Sequence, residues 1–191
     1  MTDVLPTLTI SASDRIMTRP IEQDPESPRY EQDQWEVSQP LPGVRIINSW
    51  QIYHKMWLVL AVTDDGKYNI FLSVGGKFTL VHSHAGRIYN LFYVDDGHCL
   101  FCAEDGWWGT TDTGSTWTEL DLGESPPIAR SLAIIGLSTG SWALVAYAEN
   151  HRIYRAIYPG GEWEEIYDTT AIWSDKWYPA ITGGPAGILA G

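Results

Sequence analysis

Residues 110–117 read Thr110-Thr111-Asp112-Thr113-Gly114-Ser115-Thr116-Trp117. A carboxylate set between hydroxyls, two residues before a glycine, can accept hydrogen bonds from the N–H groups of a tight turn. The glycine supplies the positive φ that such a turn requires. The tryptophan that follows carries a large apolar surface out of the turn. The octet therefore predicts a clamped hairpin whose exit strand opens on a packed aromatic.

The same grammar extends on both sides. Turn signals stand at Asp64-Asp65-Gly66, Asp95-Asp96-Gly97, Glu104-Asp105-Gly106, Ser138-Thr139-Gly140-Ser141, Pro159-Gly160-Gly161 and Gly183-Gly184-Pro185. Asp-Gly and Gly-Gly pairs between apolar runs are hairpin turns. The runs between them are strand-length and rich in aromatic or β-branched residues. They are Trp57–Thr63, Tyr68–Leu72, Phe78–His82, Ile88–Val94, Cys99–Ala103, Trp107–Thr110, Trp117–Leu120, Leu132–Leu137, Trp142–Ala148, Ile153–Tyr158 and Trp163–Tyr167. No segment keeps a 3.6-residue apolar period between caps, so helices are not expected. Composition agrees: 10 Trp, 10 Tyr, 18 Gly and 11 Pro in 191 residues suit short strands and tight turns.

The runs repeat. Asp64-Asp65-Gly66-Lys67-Tyr68 overlays Glu104-Asp105-Gly106-Trp107-Trp108 at an offset of 40 residues. Gly76-Lys77-Phe78 overlays Ser115-Thr116-Trp117 at 39, and Trp117-Thr118-Glu119-Leu120 overlays Trp163-Glu164-Glu165-Ile166 at 46. Each unit reads as four strands, the last opened by Phe78, Trp117 or Trp163. Four strands in this span are the size of a propeller blade. Blades are expected at about 44–82, 87–122 and 130–167, with a partial blade at 177–191.

The octet matches the pattern Ser/Thr-x-Asp-x-Gly-x-Thr-Trp and resembles the Asp-box, or bacterial neuraminidase repeat. Ser73-Val74-Gly75-Gly76-Lys77-Phe78 and Pro159-Gly160-Gly161-Glu162-Trp163 look like copies that lack the Asp. The resemblance implies an all-β, propeller-like array of four-stranded blades. It also implies structural roles for Thr110, Asp112, Gly114, Thr116 and Trp117, because the family uses this box as a hairpin clamp away from any active site. The family includes sialidases and other glycoside hydrolases, receptor propellers, assembly factors and phage proteins.

Residues 1–42 read differently. Ile21–Pro42 holds six acidic residues, with prolines at 20, 25, 28, 40 and 42 and few aliphatics. Such a segment buries too little apolar surface to fold alone. It reads as an extended acidic arm, with Thr7–Ile10 as a single strand inside it. Residues 43–191 read as the propeller-like domain.

Charge and motifs narrow the function. A net charge of -12 disfavours nucleic acid, which needs basic patches to displace counterions. The longest apolar run, Met56–Val62, is too short to insert in a membrane as a helix. The first twenty residues lack a basic start followed by an apolar block, so no signal peptide is read and cytoplasmic synthesis is expected. Cys99 and Cys102 make no disulfide framework and, on a strand, face opposite sides. His82 and His84 share one side of an extended segment with no third metal ligand evident, and read as a solvated strand end. The acidic turns lack the alternating oxygen ligands of a calcium loop. No metal and no cofactor are expected. A sialidase would need an arginine triad, and its Arg-Ile-Pro motif has only a poor echo in Arg15-Ile16-Met17.

Three function classes follow. The first is a non-enzymatic structural or interaction module of a larger assembly, such as a virion or phage tail, docking other protein chains or copies of itself through the arm and an open blade edge. The second is a carbohydrate-binding propeller, since exposed aromatics make sugar platforms. The third, a sialidase-like glycoside hydrolase, rests on family resemblance alone. No catalytic residue is singled out. Trp107, Trp108, Trp173, Trp177 and Tyr178 are the candidate ligand or partner surface.

Overall fold

The computed structural model describes residues 7–12, 14–20, 36–53, 55–95, 97–123, 126–138, 141–170, 181–184 and 187–190. Among these every regular element is a strand. Sheet 1 is β1 (Thr7–Ala12), β2 (Arg15–Pro20) and β3 (Glu36–Val37). Sheet 2 is β4 (Val44–Tyr53), β5 (Met56–Thr63), β6 (Tyr68–Val74) and β7 (Lys77–His84). Sheet 3 is β8 (Ile88–Asp95), β9 (His98–Ala103), β10 (Gly106–Thr110) and β11 (Thr118–Leu120). Sheet 4 is β12 (Ala129–Ser138), β13 (Ser141–Ala148), β14 (Arg152–Tyr158) and β15 (Glu164–Asp168). Sheet 5 pairs β16 (Ile181–Gly184) with β17 (Gly187–Ala190).

Every pairing is antiparallel and joins strands adjacent in sequence. The first strands of successive sheets then lie side by side: β1 by β4, β4 by β8, β8 by β12, and β12 by β16. The sheets thus fan out from a shared line of inner strands, and each four-stranded sheet ends in an outer strand. The second strands are buried on both faces, and so they read as unbroken apolar runs rather than alternating ones.

Apolar clusters fill the seams between neighbouring sheets. Trp57, Val59, Ala61 and Phe71 of sheet 2 meet Ile16 of sheet 1. The other face of sheet 2, with Leu58, Leu60 and Ile70, meets Ile88, Leu91, Cys99 and Phe101 of sheet 3. The far side of sheet 3, with Phe92, Leu100, Cys102 and Trp107, meets Trp142, Leu144, Ala146 and Tyr158 of sheet 4. Phe78, Trp117 and Trp163 plug these three seams in turn, one each, next to the outer strand they introduce.

Two readings differ from what was expected. The segment expected as an arm with one strand carries a hairpin, β1–β2, and a third strand, β3. Its polar sequence hides this, because its strands pair with one another and Ile16 is buried against sheet 2, neither of which its composition shows. Strand β4 was not foreseen as a separate run either. Arg45, Asn48, Ser49 and Gln51 interrupt its apolar residues, yet it pairs along its length with β5.

Candidate interaction surface

The 110–117 turn is built as its residues dictate. Asp112 Oδ1 accepts the Thr116 N–H (2.8 Å) and the Thr110 hydroxyl (2.8 Å), while Oδ2 accepts the Thr116 hydroxyl (2.7 Å). Thr110 Oγ1 in turn accepts the N–H of Gly114 at 3.0 Å. These donors, the Thr116 hydroxyl first, hold the Asp112 carboxyl below its usual range. Gly114 has φ +86°, and a Cβ there would stand 2.9 Å from Leu58 Cδ2 of sheet 2. The glycine therefore serves the turn and the seam at once. Trp117 donates its indole N–H back to Gly114 O (3.0 Å) and packs on Phe101, ring centres 4.9 Å apart. Among the described residues, the carboxylate's partners lie within its own turn.

The expected aromatic surface divides. Trp107 is fully buried between sheets 3 and 4, with its indole N–H on Pro127 O at 3.0 Å. It offers nothing to a ligand, which corrects the expectation. The reason is the pleat: adjacent residues take opposite faces, and in a stack of sheets both faces are seams. Trp108, half-buried, enters the seam between sheets 2 and 3 and stacks on Phe101. Trp173, Trp177 and Tyr178 lie outside the described residues.

His82 and His84 are not a solvated strand end, as was expected. Both rings pack against Phe101 and Trp108, and His84 is buried. His84 Nε2 is 2.9 Å from Asp105 Oδ1, and His82 Nε2 is 3.5 Å from His84 Nδ1. Burial, then the neighbouring His84, pushes His82 below its ordinary value of 6.5. Cys99 and Cys102 are buried in different seams, as alternation predicts, and burial pushes both thiols up to about 12.

One polar line escaped the sequence reading. Asn48 of β4 donates to Asn90 Oδ1 (2.5 Å) and Leu91 O (3.1 Å) of β8, and Asn90 donates to Arg130 O (3.0 Å) of β12. These bonds tie the inner strands of sheets 2, 3 and 4 together. Each inner strand carries a bulge there, between Ile46 and Asn48, Ile88 and Asn90, and Ala129 and Ser131. The signal was present: Arg45-Ile46-Ile47-Asn48 recurs as Arg87-Ile88-Tyr89-Asn90.

Sheet 4 treats its two faces differently. Trp142, Leu144, Ala146, Ala156 and Tyr158 line the near face and are buried. On the far face, Val145 and Tyr147 of β13 are buried too, and β16 lies beside β12 and β13. Further out, Ile157 of β14 is 41% exposed and Tyr167 of β15 is 53% exposed. Their registers, Ile157 opposite Ala143 and Tyr167 opposite Ile153, set both on that far face. Ile166, at the bulge in β15, is 45% exposed, and no residue of β15 is buried. Arg155, opposite Val145, stands on the same face between Ile157 and Tyr167 and pairs with Glu164 (2.7 Å), and Arg152 pairs with Glu165 (2.8 Å).

A radial series of antiparallel four-stranded sheets, inner strands adjacent, has solved counterparts. Regucalcin, a calcium-binding protein from Agrobacterium tumefaciens strain C58, superposes with a TM-score of 0.59 at 15% identity, over 93% of this chain and 60% of that one. YCF48 bound to a D1 peptide superposes with a TM-score of 0.55 at 15% identity, over 95% of this chain and 57% of that one. The fold is that of a β-propeller. The chain spans 60% and 57% of the lengths of these two propellers. No protein-family model matches the sequence, and no curated protein does. At this identity the likeness speaks for the fold alone.

Proposed function

We propose that this chain is a non-enzymatic interaction module of a larger assembly, docking another protein chain on the uncovered outer half of sheet 4. The observation that carries the proposal is the exposure of Ile157, Ile166 and Tyr167 on the two outer strands of sheet 4. Exposed outer strands are templates for pairing, and exposed aromatic and aliphatic side chains interspersed with charged pairs are what a docking surface offers. With a net charge of -12 on this chain, the fitting partner presents an apolar centre and a basic rim. The likeness to YCF48, whose structure holds a peptide, supports a protein partner for this fold by analogy.

We read the 110–117 turn as an Asp-box in a structural role, since its carboxylate is satisfied inside the turn. The glycan reading loses the support that Trp107 and Trp108 gave it, because packing claims both rings. Two photo-crosslinker sites test the proposal, one at Tyr167 and one at Leu80, an equally exposed residue on the outer strand of sheet 2. In cells that make the protein, the probe at 167 should give one discrete protein adduct that Ile157→Asp abolishes. The probe at 80 should give none. The same adducts from both sites, or none from 167, would overturn the assignment.

A further inference from the structure

We propose that His82, His84 and Asp105 form a pH-operated latch that lets the outer strand of sheet 2 part from sheet 3 in acid. The three side chains make one continuous line across that seam, from β7 to the turn between β9 and β10.

The bonds fix where the hydrogens sit. Asp105 Oδ1 accepts the Trp108 indole N–H at 3.4 Å, so it faces His84 as an acceptor. His84 Nε2, 2.9 Å away, therefore carries the hydrogen, and its Nδ1 keeps a lone pair. His82 Nε2, 3.5 Å from that Nδ1, is then the donor. In the neutral pair both rings hold their hydrogen on Nε2, and the bonds run one way, from His82 to His84 to Asp105.

One proton from solvent leaves this line intact. It enters on Nδ1 of the half-buried His82, and the hydrogen between the rings can then lie on either nitrogen. A second proton does not fit. With both rings charged, His82 Nε2 and His84 Nδ1 meet donor to donor, on like-charged rings whose centres are 5.6 Å apart. The surroundings offer little relief. Both rings pack on Phe101 and Trp108, and His82 also packs on Trp117. Tyr68 stands opposite His84 on β6, Glu104 and His84 both approach Gly86, and Arg87 follows three residues on. Among the described residues, Asp105 is the charged group bonded to the pair. Burial, then the neighbouring ring, lower His82 accordingly.

Strand β7 is the part that can yield. It is the outer strand, and β6 is its ladder partner. Ile70 faces His82 while Phe71 faces Leu80, so the ladder passes over Val81, next to the pair. Parting there hydrates both rings, so the open form takes two protons more readily than the closed one.

The test uses the full-length protein labelled with ¹⁵N. At about pH 8, long-range histidine spectra should show both rings as Nε2–H tautomers. From there to about pH 5, amide protection at residues 80–84 should fall about tenfold, while that at 58–61 of β5 stays within about twofold. His84→Gln can still donate to Asp105 and accept from His82 but takes no proton, so residues 80–84 should keep their protection in acid. Should that variant not fold, His82→Gln answers the same question, since it leaves one ring to be charged. An Nδ1–H tautomer at either ring, no loss of protection at 80–84, an equal loss in β5, or the same loss in the glutamine variant would each overturn the latch.

Discussion

The seams between sheets 2, 3 and 4 and the outer far face of sheet 4 use the same kind of residues to opposite effect. In the seams, Trp107, Trp117, Phe101 and Tyr158 meet apolar neighbours from the next sheet, and most are buried. On the far face, Ile157 and Tyr167 occupy strands of the same sheet and stand exposed. Aromatic content alone does not distinguish mortar from surface in this fold. What distinguishes them is whether a following sheet reaches far enough outward to cover the strand.

That contrast gives a graded set of expectations. Trp107→Ala removes the largest fully buried side chain and its bond to Pro127. It should cost about 3–5 kcal/mol in urea unfolding, whereas Tyr167→Ala on the open face should stay within about 0.5 kcal/mol. Comparable losses from the two would mean that Tyr167 is packed.

Asp112→Ala should cost about 1 kcal/mol, because the lost bonds are charge-assisted but solvent-exposed. If the clamp holds the seam closed, this variant should also raise amide exchange around Leu58 and Gly114. Exchange raised only within 110–117 would confine the clamp to its own turn.

Acidification should act next. His82 sits below its ordinary value in the folded chain, so the unfolded chain takes up the proton first as pH falls. Stability should be full above about 6.5 and decline as pH drops from there through the folded value. His82→Gln should flatten this part of a pH–Tm profile while leaving the acid limb, from 3.8 downward, to the lowered carboxyls Asp14, Asp65, Asp112 and Asp168. A profile unchanged by His82→Gln would remove the histidine from the account.

Much of the fold was legible because the seams leave local marks. Gly-containing turns, apolar second strands and the aromatics at Phe78, Trp117 and Trp163 recur near 40-residue spacing, and each mark sits where its seam needs it. The strands that polar residues interrupt were not legible. Strand β2 gains its order from pairing with β1 and β3 and from Ile16 packing on sheet 2, neither of which a composition window can see. The candidate surface was the least legible part. Trp107 and Trp108 drew attention because they are large and adjacent, yet both faces of sheet 3 are covered. Ile157 and Tyr167 look like ordinary strand residues, and only the limited reach of β16 over sheet 4 makes them different.

The sharpest single test compares two tyrosines on sheet 4 by hydroxyl-radical footprinting, in the isolated chain and in its assembly. Tyr158, on the near face, is buried, and Tyr167, on the far face, is exposed. The account predicts that Tyr158 stays unmodified in both states, and that Tyr167 is modified in the isolated chain and protected in the assembly. Equal modification of Tyr167 in both states would contradict it.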